Sequence, residues 1–536
     1  MSLQSELSDA AATGHQSADS IFLPASLPCG RSVQNRLVKV AMYEHLASFF
    51  GGPPNLHHYD LYAEWAKHHW GMIVTGNVQV STDHLTLGRD MTIPKHTTEE
   101  NLVPFKKLSA SIHGLYSSQG AISRNSNKTL AIMQLSHAGR QSSNFIGGRA
   151  PFKTPLAPSA IRVGGKQLGF ISSAIHAVMF QTPRPMTHAD ITEMIQAFVK
   201  GAQVAHQSGF DGIQLHAAHG FLWTDEDLLA QFLSPKSNFR TDKYSVDQSI
   251  ELIHTIVSSI RREVPKDFVL SIKFNAADYS TAGSSTQAFL SEGESRALGH
   301  ILAMAQWGSV DIIEISGGDY EKPDFFRSET SISKSPRQAF FAHFSHQALQ
   351  ALESLPKTPI SPPTPLILLT GGLRTLGLLR TALNSRHAHL LGIGRGSVLC
   401  PNLPSIIKEK NLSRWDDIPF QREPDLSLPH ILEYWPLSWV WNLLPKIKLI
   451  GAGLGMAWYV VAIRRISHAS RSGSAPMLNY GMGGLGAIFW MWAWIPESGR
   501  GLGGDWLGCL HIHAFLIIVA ILSVYSFLVS TTRLAP

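Results

Sequence analysis

Eight apolar runs, each five to seven residues long, recur between residues 37 and 394, and longer segments with helical spacing separate them. They are LVKVAM (37–42), MIVTGN (72–77), LAIMQL (130–135), DGIQLH (211–216), FVLSIKF (268–274), DIIEIS (311–316), LILLT (366–370) and HLLGIG (389–394). The runs are near-continuously apolar rather than alternating. A strand reads that way when both of its faces are covered, as in a parallel sheet clothed by helices. The intervening segments support this. DITEMIQAFVKGAQVAHQSGF places Ile191, Met194, Ile195, Phe198, Val199 and Ala202 on one helical face. Asp190 with Glu193 three residues on is the expected N-cap and capping box, and Gly209 the expected stop. SVDQSIELIHTIVSSIRREV repeats the design. Eight strands alternating with helices predict an α/β fold of the (β/α)8 TIM-barrel type.

The chain is 536 residues long, more than one such domain uses. Residues 1–20 are polar, lack the apolar core of a secretion signal, and are expected to form a disordered arm. The barrel is expected over 21–415. The Trp- and Pro-rich stretch 416–448 reads as a linker or interfacial segment. A helical, membrane-associated C-terminal region is expected over 449–536, with the catalytic barrel in the cytoplasm. Three apolar stretches motivate that reading, at 449–463, 480–495 and 509–530. The last carries no Asp, Glu, Lys or Arg and has the length to span a bilayer, while the first two fall short of it. Ordinary buried helices are the alternative for those two. A net charge of +6 spread over this length, with no Lys/Arg run, gives no nucleic-acid surface. Cys29, Cys400 and Cys509 lie too far apart in sequence to suggest a Cys-based zinc site or a disulfide framework.

In such a barrel the chemistry sits at the C-terminal strand ends, with phosphate often held by strands seven and eight. Strand seven ends in TGGLR (370–374) and strand eight in GIGRGS (392–397). Glycines there let backbone N–H groups approach a phosphate, and Arg395 can clamp it. Strand five carries Lys273 in an apolar run, a costly place for a lone ammonium unless negative charge develops beside it. A lysine reaching out to water is the bland alternative. Strand three carries Gln134, whose amide both donates and accepts, as a ring with C=O and N–H edges requires. Strand four ends in His216, with His219 following. The pair can donate to one oxygen, serve as two structural histidines, or bind a metal with a third ligand from Asp225, Glu226 or Asp227.

NRLVKVAMYE, WGMIVTGNVQV, MQLSHAGRQ, GFDGIQLHAAHGFL with LAQFLSP, RTDKYS, IEISGGDYE, LTGG and GIGRGS come in one order. In that combination residues 21–410 resemble the Old Yellow Enzyme family, FMN-dependent NAD(P)H oxidoreductases. The resemblance implies that Ala41, Met42 and Tyr43 line the flavin and that Asn77 contacts it. It implies that Gln134 binds the pyrimidine edge, Lys273 lies near N1 and the C2 oxygen, and Gly371, Gly372, Gly394 and Arg395 hold the FMN phosphate. His216 and His219 are implied to bind the carbonyl oxygen of an α,β-unsaturated substrate. NAD(P)H would reduce the flavin first in the same pocket, giving ping-pong kinetics. The expected partners are thus a small enone-type substrate and, through the tail, a lipid bilayer.

Two departures from the family matter. Phe221 stands where members usually have the proton-donating Tyr, and WTDEDL (223–228) looks inserted before LAQFLSP. Water, Tyr43 or a carboxylic acid from Asp225–Asp227 would then supply the proton. The rival readings are a membrane-associated flavin protein with weak turnover and a metal-dependent barrel lyase or hydrolase.

Overall fold

The computed structural model describes residues 19–121, 128–163, 176–218, 227–276, 292–316, 336–356, 358–409, 423–424, 426 and 453–494. All eight apolar runs become strands: β1 (Leu37–Lys39), β2 (Met72–Gln79), β3 (Leu130–Ser136), β4 (Gly212–Ala217), β5 (Val269–Asn275), β6 (Ile312–Ser316), β7 (Leu366–Thr370) and β8 (Leu390–Ile393). Neighbours are parallel in chain order. β1 closes the ring by pairing with β8 at Leu37↔Leu391 and with β2 at Val38↔Met72. Closure leaves the ring no unpaired edge. β1 ends earlier than expected. Val40 still donates to the Ile393 carbonyl, but the chain then leaves the sheet toward His45, whose φ is +55°.

The surrounding helices are α1 (Leu56–Ala66), α2 (Glu99–Ile112), α3 (His188–Gln207), α4 (Leu228–Leu233), α5 (Ser249–Glu263), α6 (Glu292–Gln306), α7 (Pro336–Glu353), α8 (Leu376–Asn384), α9 (Arg395–Leu399) and α10 (Leu403–Glu409). The cap of α3 lies three positions before the expected one. Thr187 is the N-cap, and Asp190 is the N3 residue that closes the capping box. The Asp190 N–H donates to Thr187 Oγ1 (3.2 Å), and its carboxylate accepts from the Thr187 N–H (2.7 Å) and from Arg184 (2.8 Å), so an acidic residue inside the first turn carried the signal read for the cap itself.

The barrel interior divides in two. Toward the N-terminal ends, Val38, Val74, Ile132, Val269, Ile312 and Leu368 pack with Val33 of a short antiparallel hairpin (Ala25–Ser26 with Ser32–Val33) that plugs the bottom. Side chains alternate along a strand. Two or four residues further on, the inward positions are therefore Gln134, Gln214, His216, Ser271, Lys273, Glu314 and Thr370. The inner column turns from apolar to polar as it climbs.

Among the described residues, two helices follow the barrel, α11 (Leu454–Ser472) and α12 (Gly483–Ala493). The 449–463 stretch, expected at a membrane, lies largely in α11, and α11 packs on barrel helix α1. Trp458, Ile463 and Ile466 are buried in the same apolar cluster as the barrel helices. Ser467 donates to the His57 carbonyl (2.8 Å) and Arg471 to Asp60 (2.8 Å). Arg464, the first residue after the 449–463 stretch, is 8% exposed. It donates to His45 Nδ1 (2.7 Å) and to the Met491 carbonyl (3.0 Å). An apolar run bounded by basic residues looks alike in both settings, because a long basic side chain can also reach a buried acceptor. The 480–495 stretch forms a 3-10 turn (Tyr480–Met482) and the eleven-residue α12. No described helix is long and apolar enough to cross a membrane. The 509–530 stretch, residues 1–18 and nearly all of 416–448 lie outside the described residues.

Candidate active site

The barrel mouth is assembled by strand register. Asn77 pairs with Gln134, Gln134 with Gln214, His216 with Lys273, and Lys273 with Glu314. An irregularity between Val74 and Asn77 in β2 re-aims Asn77. It is pinned from behind. The Gly76 N–H donates to Glu44 (2.8 Å) and to the Tyr62 oxygen (2.9 Å). A Cβ at Gly76 would lie 1.9 Å from Glu44 Oε2, so only glycine fits there.

Gln134 donates through Nε2 to Gln214 Oε1 (2.7 Å). Gln214 Nε2 donates to Glu314 Oε2 (2.8 Å) and to Ser271 Oγ (3.1 Å). Glu314 Oε1 accepts from Thr370 (3.0 Å) and lies 3.3 Å from Lys273 Nζ. Lys273 thus points inward and is paired, rather than reaching out to water. Gln214 and Glu314 were not singled out from the sequence. Their signal was a polar side chain on the inner parity of an otherwise apolar strand.

Ala41, Met42 and Tyr43 follow β1 over the mouth, Met42 and Tyr43 buried and Ala41 half-buried. The Tyr43 hydroxyl donates to Asp90 Oδ2 (3.2 Å). Burial, and then the Asp90 charge, push the phenol well above its usual range. Burial pushes the Asp90 carboxyl up to about 6 despite hydrogen bonds from Thr86 and Gln79. The Tyr43 hydroxyl proton is thus directed at Asp90.

β7 runs into Gly371 and Gly372, with φ of +113° and +72°, a backbone path that favours glycine. Gly394 precedes α9, which opens with Arg395. Arg374 and Arg395 each lie 3.4 Å from one oxygen of the Glu423 carboxylate. An anion therefore already sits between two guanidinium groups at the ends of strands seven and eight, and the donor set suits a phosphate there. Arg374 was visible in TGGLR but was not assigned a role from sequence. Tyr459 of α11 stands in the field of the same three groups. Burial pushes its phenol up, and its hydroxyl oxygen is buried with no hydrogen-bond partner among the described residues.

His216 is 3% exposed. His219, Phe221, Asp225 and Glu226 lie outside the described residues. Asp227, in the apparent insert, is described and buried. It is the N-cap residue of α4, but its side chain makes no capping hydrogen bond. Its carboxylate instead accepts from Ser136 Oγ (2.5 Å) and the His137 N–H (3.1 Å). Asp227 Oδ2 lies 3.4 Å from His216 Nδ1. Among the described residues no group of three or more His, Cys, Asp and Glu could hold a metal ion.

Comparison with known proteins agrees with this geometry. Residues 20–412 match the family model described as the NADH:flavin oxidoreductase / NADH oxidase family. The NADH-dependent flavin oxidoreductase iccE of Talaromyces variabilis is 29% identical over 83% of this chain and 98% of its own length. The NADH-dependent flavin oxidoreductase iliE of Neonectria sp. (strain DH2) is 32% identical over 71% of this chain but only 46% of its own length. Morphinone reductase superposes with a TM-score of 0.54 at 19% identity, covering 76% of this chain and 92% of that structure. The Old Yellow Enzyme homologue from Zymomonas mobilis does so with a TM-score of 0.53 at 18% identity, covering 76% and 100%. Those two likenesses establish the barrel. The family match extends over most of the chain, so this protein belongs to the NADH:flavin oxidoreductase / NADH oxidase family, flavin-dependent oxidoreductases that take a nicotinamide substrate.

Proposed function

We propose that the flavin is FMN, seated across the barrel mouth, and that the protein uses NAD(P)H to reduce activated C=C bonds of α,β-unsaturated carbonyl compounds. The observation that carries the reading is one arrangement. Gln134 and Lys273 stand on the inner face of the mouth, and Arg374 and Arg395 share an anion at the β7 and β8 ends. FMN, when bound, would supply the site that accepts and returns a hydride. The protein's task is to hold, polarise and exclude water. Arg395, Arg374 and the glycine turns would bind the phosphate. Gln134 would present an acceptor and an N–H to the ring edge, with Asn77 beside it. Lys273 would face the negative charge the ring gains on reduction. His216, joined by His219 in the sequence reading, would donate to the substrate carbonyl oxygen and draw electrons from the alkene. Both substrates would use one pocket in turn, which is the basis for ping-pong kinetics.

The test is anaerobic. The purified protein should be yellow, bleach with NADH or NADPH, and recover colour when mixed with an enone. Arg395→Ala should weaken FMN binding by about 10–100-fold, since a hydrogen bond to a charged group is worth roughly 1.5–3 kcal/mol. Lys273→Met should slow reduction by NAD(P)H. Full flavin content and wild-type reduction in both variants would mean that the cofactor sits elsewhere.

A further inference from the structure

Glu314 ties together two residues that the proposed cofactor site needs. It is 0% exposed, on the inner face of β6. One oxygen accepts from Gln214, and the other accepts from Thr370 and faces the Lys273 ammonium. A carboxylate facing an ammonium only accepts, so every partner must present hydrogen to it. That fixes the polarity of the whole row. Gln214 spends both hydrogens of its amide nitrogen, one on Glu314 and one on Ser271 Oγ. Its oxygen is then the end left for Gln134, which must turn its own NH2 toward it. Gln134 keeps its oxygen and one N–H for whatever lies above.

The same carboxylate sits against Lys273. Removing one member of a buried pair leaves an uncompensated charge, which is costly. As a pair, the two present the barrel mouth with a cation whose charge is partly offset.

We propose that Glu314 is a positioning residue for the flavin. Through Gln214 it sets which end of the Gln134 amide meets the ring, and beside Lys273 it moderates the positive charge that stabilises the reduced ring. The inference rests on the reading that places the flavin against Gln134 and Lys273. Glu314→Gln should then have two effects. The new amide can donate as well as accept, so the row loses its fixed polarity and flavin binding weakens. The Lys273 charge becomes uncompensated, so the reduced form gains.

Titration of the flavin-loaded variant against a redox dye should show at least a tenfold higher ratio of reduced to oxidised flavin at a fixed potential. For a two-electron couple that is a midpoint about 30 mV more positive. A midpoint that is unchanged or more negative overturns the proposal. Gln214→Met provides the second arm. It leaves the Glu314–Lys273 pair in place and cuts Gln134 off from it. FMN affinity, read from fluorescence on flavin release, should fall about tenfold, roughly the worth of one hydrogen bond, while the midpoint stays at the wild-type value. Full affinity in that variant overturns the polarity claim even if Glu314→Gln does not fold. The two readings separate cleanly. If Lys273→Met leaves flavin binding and midpoint untouched, the flavin placement fails. If Lys273→Met shifts them and the Glu314 and Gln214 variants do not, only the positioning role fails.

Discussion

A chain cut after residue 415 should be recovered aggregated or partly unfolded, with little bound flavin. By sequence the barrel motifs end before that point, and a soluble flavoprotein would be expected from the cut. The packing of α11 reverses the expectation. Trp458, Tyr459, Val460, Ile463 and Ile466 are each 5% exposed or less. Burying a side chain of this size contributes roughly 1.5–3 kcal/mol, so the five together are on the order of 10 kcal/mol. That sum is an upper bound, because unfolded chains already bury some of this area. It is still comparable with the about 5–15 kcal/mol that holds a typical domain together. Polar losses add to it. The cut strips Arg471 from the buried Asp60 and Arg464 from His45 on the loop after β1. That loop follows Tyr43, so the damage reaches the barrel mouth. Solubility, flavin content and the thermal melt of the cut chain would be measured against the full chain. A soluble, flavin-loaded fragment melting at the full-chain temperature would show that α11 only rests on the barrel.

The strands were legible because burial on both faces leaves an almost unbroken apolar signal. Of the eight, only β1 differs by more than two residues at one end, where the chain lifts off to cross the mouth. The helix α3 was legible except for its first three residues, since Thr187 and Asp190 share the capping box and either can be taken for the cap. Gln134, His216 and Lys273 stood out because each interrupts an apolar run. Gln214 and Glu314 interrupt their runs just as plainly. Gln214 meets Gln134 and Glu314 from 80 and 100 positions away, and Glu314 meets Thr370 from 56, so these partners appear only once strand register is known. α11 was misread for a related reason. Hydropathy reports that a segment avoids water but not what covers it, and α1 is some 400 positions earlier in the chain.

Replacing Asp227 by Asn should slow transfer from the reduced enzyme to an enone by about 100-fold or more, while reduction by NAD(P)H stays near wild type. Two oxygens face His216 Nδ1, Asp227 Oδ2 at 3.4 Å and Ser136 Oγ at 3.5 Å. The Ser136 hydroxyl hydrogen is already given to Asp227 (2.5 Å), so both atoms facing Nδ1 are acceptors. This hydrogen-bond network assigns a proton to Nδ1. In that state Nε2 can donate to a substrate oxygen only if the ring carries both protons. The Asp227 carboxylate, 3.4 Å from Nδ1, would be the counter-charge for that state. An asparagine keeps the volume but loses the charge, and its NH2 can claim Nδ1 as an acceptor instead. Hydride delivery to an enone then proceeds without a charged donor at the oxygen. Phe221 itself has no proton to offer. Losing general-acid assistance costs about 10²–10⁴-fold. Dioxygen as the acceptor provides the internal control, because it has no carbonyl for His216 to polarise. Stopped-flow traces of both half-reactions, with an enone and with dioxygen, decide the matter. Equal slowing with both acceptors would mean that Asp227 merely holds the loop through Ser136 and His137. An unchanged enone rate would mean that another group carries the charge at the substrate oxygen.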